Sequence, residues 1–234
     1  MANIIEKINH DIDELKLRTF INDLEDIGDV IFFGGYVRDK YLGLNKAPRD
    51  IDIVIDSGER VDLRKYLIEK MQISSSSIST NEYGGLKLEC DNIKIDLWSI
   101  YDTHAFKNSY RCLRNWRSLT ETTYSNFDSI ALNYSNQCME TSRFDSFVKN
   151  CKIESVLENN SDLILNLLKL LIHQKQYQQY FESKITFSKE IIQDYIKNKH
   201  RVSDLYERQI NRYGSYIMAM EEIEEFIENL ECSM

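Results

Sequence analysis

Asp50 and Asp52 flank a single isoleucine in the segment Arg49-Asp50-Ile51-Asp52-Ile53-Val54-Ile55. The period of two along a strand puts both carboxylates on one face and Ile51, Ile53 and Ile55 on the other. Like charges that close raise one another's pKa unless something positive lies between them, and a divalent ion does this best. Mg2+ suits the pair, because it takes oxygen ligands and commonly uses one or two carboxylates together with substrate phosphates. The chemistry implied is metal-assisted transfer of a phosphoryl or nucleotidyl group.

The elements around the pair supply other parts of such a site. Val30-Ile31-Phe32-Phe33 has the β-branched and aromatic content of a buried strand and stops at Gly34-Gly35. Paired glycines leave backbone N–H groups open to a ligand. Tyr36 to Leu42 reads as a short helix with Val37 and Tyr41 four apart and Gly43 placed to end it. The loop then meets a helix N-terminus, where free N–H groups favour a phosphate. Arg38 in the first turn would add a planar, doubly donating cation to the phosphate oxygens, and Asp39 would brace the turn. Pro48, the one proline of the chain, precedes the strand of the two aspartates. Strand, Gly-Gly, short helix and D-x-D strand, in that order, form a set that phosphoryl chemistry needs.

This stretch, GGYVRDKYLG followed by PRDIDIVI, is similar to the head domain of CCA-adding enzymes and bacterial poly(A) polymerases, within the DNA polymerase beta-like nucleotidyltransferases. The resemblance extends over about residues 28 to 175. It implies an α/β (α+β) head with a mixed sheet, two Mg2+ ions (or Mn2+ in their place), and a third catalytic carboxylate on the second of two paired strands. Tyr83-Gly84-Gly85-Leu86-Lys87-Leu88 and Ile93-Lys94-Ile95-Asp96-Leu97-Trp98 look like those strands, with Asp96 at the matching position. Read by itself, Asp96 is an acid between Ile95 and Leu97 in an apolar strand, where a charge is costly unless paired or metal-bound. Asp50, Asp52 and Asp96 are therefore the expected catalytic and metal-binding residues, with Gly34, Gly35 and Arg38 on the β and γ phosphates. The stretch from Asn126 to Tyr134 resembles the family's strand near the nucleotide sugar, with Asn126 where an aspartate is expected. Leu165 to Ile172 echoes the arginine-rich helix after the head; Asn166 and Ile172 replace two arginines and Lys169 keeps the charge as a nucleotide-binding candidate. No counterpart of the Glu-Asp-x-x-Arg base-selecting element is found, so CCA specificity is not implied.

Composition sets limits. The 234 residues, 42% hydrophobic, hold one catalytic domain and a helical appendage. The formal net charge of −9 disfavours a large nonspecific nucleic-acid surface. A nucleoside triphosphate and a short nucleic-acid end, or another small hydroxyl acceptor, fit better. A basic and aromatic cluster is the exception: Lys107, Tyr110, Arg111, Arg114, Trp116 and Arg117. Its rings and guanidinium groups would hold unpaired bases or a triphosphate, with Arg111 and Arg114 as the nucleotide-binding candidates. Five scattered cysteines with no C-x-x-C pair and no secretory leader argue for reduced thiols and a cytoplasmic protein. No stretch approaches the length of a membrane span.

The expected organisation is a catalytic domain over residues 1–152, with an N-terminal amphipathic helix to about Asp26, and an all-α C-terminal domain over 153–234. In the latter, helices are expected from Ser161, around Ser188 to Lys199, and as one long element from Ser203 to Leu230. Its recurring tyrosines suit packing or a subunit interface, and so a homo-oligomer through these helices. The four histidines do not cluster. The reading is a template-independent, Mg2+-dependent nucleotidyltransferase moving NMP or dNMP to a hydroxyl. Two alternatives stay open. One is a small standalone transferase that modifies a protein or tRNA as a toxin, or makes a nucleotide signal in antiviral defence. The other is an inactive nucleotide-binding scaffold.

Overall fold

The computed structural model describes residues 2–81, 83–90, 93–108, 114–157 and 162–232. The chain divides into two compact units, Met1–Thr123 with Asp128–Phe144 and Tyr124–Phe127 with Asp145–Met234.

The first unit starts with α1 (Ala2–Glu14) and α2 (Arg18–Glu25), followed by β1 (Asp29–Phe33), α3 (Gly35–Tyr41), β2 (Asp50–Asp56) and α4 (Leu63–Glu69). The short β3 (Ser79–Thr80), then β4 (Leu86–Cys90), β5 (Ile93–Ser99), α5 (His104–Lys107), β6 (Ala131–Asn133) and β7 (Cys138–Glu140) complete it. The sequence suggests one N-terminal helix; the structure breaks it at Lys16, whose φ of 55° is left-handed. The break lets Leu17 donate its N–H to the Ile12 carbonyl and bury its side chain.

The strands form a sheet in the order β3-β4-β5-β2-β1-β6-β7. β2 and β5 run parallel, and every other neighbouring pair is antiparallel. The expected mixed sheet is thus present. Helix α3 contacts β1 and β2, and its Tyr36 ring meets Phe32 edge to face at 5.7 Å. That is the face of Ile51 and Ile53. The other face, which carries Asp50 and Asp52, is filled towards the carboxyl end of β2 by a cluster of Ile31, Val54, Phe106, Trp116 and Leu119. Val54 is buried as well as Ile53 and Ile55, so it alone interrupts the half-exposed face of Asp50, Asp52 and Asp56 that alternation predicts.

Helix α1 is fastened to α3 by one carboxylate. Asp11 accepts from Lys40 Nζ at 2.5 Å and from the Tyr36 hydroxyl at 3.1 Å, and Lys40 is only 6% exposed. Burial, and then the Asp11 charge, push the Tyr36 phenol well above its ordinary value.

The second unit, besides Tyr124–Phe127, takes in most of α6 (Ser142–Asn150) and continues with β8 (Lys152–Ile153), α7 (Leu163–Tyr177), β9 (Thr186–Phe187), α8 (Lys189–Lys197), α9 (Val202–Tyr213) and α10 (Met220–Cys232). Among its described residues it is helical apart from the parallel β8–β9 pair and an isolated bridge between Ser125 and Ser155. Asp162 caps α7 by accepting from Leu165 N at 3.1 Å. Tyr195, fully buried, donates its hydroxyl to the Leu167 carbonyl at 2.6 Å. The long final helix of the sequence reading is two helices. Gly214 ends α9 in a left-handed conformation, φ 72°, and the buried Gln209 fastens the turn that follows. Its Oε1 accepts from the backbone N–H of Ile217 and of Met218 at 2.9 Å each, and its Nε2 donates to the Met218 carbonyl.

Candidate active site

Register decides which side chains meet. In the parallel β2–β5 pair Asp50 faces Lys94 and Asp52 faces Asp96. The antiparallel β4–β5 pair then sets Lys87 opposite Asp96, and β1 sets Phe33 opposite Asp52. A single row across four strands therefore reads Phe33, Asp52, Asp96, Lys87. Directly opposed residues share a face, so the Asp52 and Asp96 carboxylates stand side by side, with Asp50 two residues before Asp52 on that face. Lys87 and Lys94, both exposed, put one cation opposite Asp96 and one opposite Asp50. Sequence reasoning missed both lysines, because only strand pairing brings them to the acids.

The turn before β4 helps to fix Asp96. Asn81 Oδ1 accepts from the N–H groups of Tyr83 and Gly85 at 3.0 and 2.8 Å, which orients the amide so that Nδ2 approaches Asp96 Oδ1 at 3.4 Å.

On the other side of Asp52 lies the glycine turn. Gly34 has φ 68° and ψ −137°, a conformation strained for residues with a Cβ, and its N–H donates to the Ile130 carbonyl at 3.0 Å. A Cβ placed on Gly34 would lie 3.7 Å from Asp52 Oδ2. The backbone of the turn is therefore brought up to the carboxylate row.

Arg38 is held by acids of its own unit. It is 4% exposed, and its guanidinium lies against Asp39 Oδ1 at 3.0 Å and against Asp128. With two carboxylates on it, this cation ties α3 to the turn before β6, beside Gly35 of the glycine turn. Asp39 also accepts from Lys46 at 2.8 Å and so braces the segment between α3 and β2.

Asp50 carries an ion pair with its neighbour Arg49, Nη2 to Oδ2 at 2.7 Å. Arg49 is 49% exposed. An exposed pair of this kind is worth about 1 kcal/mol or less, too little to hold the carboxylate against a divalent cation. Among the described residues no three His, Cys, Asp or Glu side chains are already gathered around a point as a metal site. The donors are all carboxylate oxygens, adjacent and half-buried, which fits a hard cation completed by water and substrate phosphates. It does not fit a cage closed by protein.

The remaining candidates belong to other elements. Arg114 is exposed and its Nη2 approaches the Phe106 carbonyl at 3.4 Å. Arg117 lies over the Trp116 ring at 4.9 Å. Trp116 itself is 9% exposed and belongs to the apolar cluster, so it is core and not the free stacking ring expected from the sequence. Tyr110 and Arg111 lie outside the described residues. Lys169 is half-buried on α7 in the second unit. Asn126 is not on a strand: it sits in a 3-10 turn of the second unit, where its amide donates to the Lys152 carbonyl and accepts from Glu154 N.

No family model matches the sequence, and no curated protein matches it. Solved structures do match the fold. A tRNA-processing enzyme in apo form superposes with a TM-score of 0.57 at 16% identity, over 92% of this chain and 57% of that one. The Thermotoga maritima CCA-adding enzyme complexed with tRNA gives a TM-score of 0.56 at 12% identity, over 94% of this chain and 54% of that one. A tRNA nucleotidyltransferase complexed with a primer tRNA and an incoming ATP analogue gives 0.55 at 16%, over 87% and 58%. The chain spans little more than half the length of these proteins. It has the nucleotidyltransferase fold of the CCA-adding enzyme head, a mixed-sheet α/β core with a helical C-terminal region.

Proposed function

We propose that the chain is a nucleotidyltransferase that moves a nucleoside monophosphate from a nucleoside triphosphate to a hydroxyl acceptor without a template. The observation that carries this reading is the opposition of Asp52 and Asp96 on adjacent parallel strands, with Asp50 on the same face and the Gly34 turn against Asp52.

In this reading the acceptor hydroxyl attacks the α-phosphorus, the α–β bridging bond breaks, and pyrophosphate leaves. Gly34 and Gly35 present backbone to the triphosphate, in a turn whose conformation a larger residue at position 34 would strain. Arg38 is a positioning residue: through Asp39 and Asp128 it sets the angle at which α3 leaves the glycine turn. Asp96 lies on the acceptor side, its carboxylate steered by Asn81, and Lys87 moderates the charge of the row. Asp50, Asp52 and Asp96 would hold divalent cations, Mg2+ or Mn2+, which supply neutralisation of the phosphate charge and a lower pKa for the attacking hydroxyl. The solved structures of similar fold include complexes with ATP and with CTP, which supports a nucleoside triphosphate as donor.

The test is incubation of the purified chain with each labelled NTP and dNTP and Mg2+, with and without RNA or DNA primers and with tRNA or protein acceptors. A ladder on the primer identifies a polymerase, and a single added unit on tRNA or protein identifies a modifying enzyme. Absence of transfer with every donor and acceptor, alongside intact nucleotide binding, removes the enzyme reading.

A further inference from the structure

Cations of the first unit differ in their partners. Arg38, Lys40, Lys46 and Arg60 each lie on a carboxylate. Lys87, Lys107 and Arg114 are exposed and make no ion pair among the described residues. All three come from the segments that border Asp96. Lys87 is directly opposite Asp96 on β4, which sets their Cβ atoms about 5 Å apart on one face of the sheet. The turn that leads into β4 is held on two sides: Asn81 approaches Asp96, and the Tyr83 ring meets the His104 ring of α5 edge to face at 5.3 Å. Between these fastenings Gly84 has φ 90°, and a Cβ built on it would lie 3.9 Å from Lys107 Nζ. Lys107 is thus set against the same turn that steers Asp96. Arg114 joins it through the Phe106 carbonyl, 3.4 Å from its Nη2 and one residue before Lys107. Phe106 belongs to the apolar cluster that fills the Asp50 and Asp52 face beyond those acids, so α5 stands on the face where the carboxylates are.

The carboxylate row therefore has unlike ends. Its β1 end adjoins the glycine turn, which the transfer reading gives to the triphosphate. Its β4 end adjoins three cations that no described acid neutralises. Attacking and leaving oxygens lie roughly in line on opposite sides of the transferred phosphorus, so the acceptor comes from the end away from the triphosphate, past Lys87, Lys107 and Arg114. An acceptor with phosphate beside its hydroxyl gains from these charges, whereas a side-chain hydroxyl of a protein carries nothing for them to hold. The formal net charge of −9 weighs against a long polyanion lying along the molecule, so the favourable charge is local.

We propose that Lys87, Lys107 and Arg114 form an acceptor subsite that holds the last phosphodiesters of a short oligonucleotide, with its terminal hydroxyl at Asp96 and no need for a folded nucleic-acid body. The role as acceptor site rests on the transfer reading; the binding of the oligonucleotide does not.

The experiment measures binding of a dye-labelled trinucleotide to the full chain by fluorescence anisotropy, in Mg2+ and without a nucleotide donor. Three phosphate contacts on a single strand give a slope of log affinity against log salt of about −2. Lys107→Ala and Arg114→Ala are each expected to weaken binding about tenfold, the loss of one charge-assisted hydrogen bond, and Lys107→Arg to restore it. The same trinucleotide with uncharged methylphosphonate linkages should bind about tenfold more weakly or worse. Lys149→Ala removes an exposed cation from α6 in the second unit and should leave the affinity unchanged. Equal losses in the Lys149 and Lys107 variants mean general attraction between charges and overturn the proposal, as does equal binding of the uncharged analogue or no binding at all. Whole tRNA should bind within about tenfold of the trinucleotide; tighter binding means contacts elsewhere and overturns the choice of acceptor. Asp52→Asn separates the subsite from the transfer reading, since that variant is expected to lose incorporation and keep the trinucleotide. Incorporation that needs Asp52 but is indifferent to Lys107 and Arg114 leaves transfer standing and removes the subsite. Cation-dependent binding in a wild type that transfers to no acceptor leaves the subsite and removes transfer.

Discussion

Asp29 and Asp56 face each other across β1 and β2, at the opposite end of that ladder from Asp52. Here the like charges are managed by hydrogen bonds. Asp29 Oδ2 accepts from Asn133 at 2.8 Å and Asn136 at 3.3 Å, and Asp56 accepts from the backbone N–H groups of Gly58 and Trp116. Burial first, and the Asp29 charge as well, still hold the Asp56 carboxyl above its ordinary value. A carboxyl raised in the folded state contributes stability that is fully present below its unfolded pKa and is lost as pH rises through its folded pKa. Asp56→Asn is therefore expected to raise stability at pH 7, with the gain shrinking on acidification below the usual carboxylate range near about 4. Urea unfolding at the two pH values checks this, and a variant less stable than wild type at pH 7 contradicts it.

Removing a carboxylate from the Asp52–Asp96 row should separate activity from stability. Asp52→Asn and Asp96→Asn each abolish the charge that would hold the cation, and each relieves repulsion between neighbours. Nucleotide incorporation should fall by about 100-fold or more, in keeping with loss of a main electrostatic contact in the transition state, while the melting temperature stays level or rises. A thermal melt beside an incorporation assay reads both, and retained incorporation in the double variant would falsify the site.

Gly34→Ala tests the turn. The new Cβ would meet Asp52 Oδ2 only at ordinary van der Waals distance, so the cost is conformational, about 1–3 kcal/mol for a residue forced into that region. Chemical denaturation gives the difference. A neutral substitution would mean that the turn does not have the backbone described.

Gly85→Ala should be worse for a different reason. Its Cβ would stand 2.0 Å from the Trp98 Nε1 and 2.3 Å from Cε2, so the indole must move, at about 1–3 kcal/mol for overpacking. Trp98→Leu removes those atoms. A double-mutant cycle should then find the alanine much less harmful in the leucine background; additive effects would remove the steric explanation.

Asp11→Ala leaves Lys40 buried without its anion and the Tyr36 hydroxyl without its acceptor. Breaking one side of such a pair costs about 3–5 kcal/mol. Loss of α1 protection in hydrogen exchange, before the strands open, is the expected signature. Uniform exchange across the unit would contradict the fastening.

The carboxylate row is half legible in the sequence. Asp50 and Asp52 follow from alternation within one strand, and Asp96 from its place in an apolar strand, because both signals are local. Lys87 and Lys94 are invisible there, since their positions depend on the register of β4 and β5. Arg38 illustrates a second limit: its pairing with Asp128, ninety residues on, has no trace in the local sequence. Trp116 reads as a surface ring, since nothing nearby in sequence shows that Ile31 and Val54 cover it. The breaks at Lys16 and Gly214 are tertiary as well. A glutamine among the polar residues of a helix carries no signal by itself. Gln209 gains its role from the backbone of Ile217 and Met218, which only the turn at Gly214 brings back to it.

The parallel pairing of β2 with β5 has a consequence for the order in which the molecule assembles. β1, α3 and β2 are close in sequence, and β4 and β5 form a hairpin, so each half gathers through short loops. Asp52 and Asp96 come from different halves and meet only when the long connection between them closes. Contacts across long loops form late because chain closure must come first. The two acids therefore meet only when the β4–β5 hairpin docks against β2, so the cost of their repulsion falls on that docking step and not on the formation of either half.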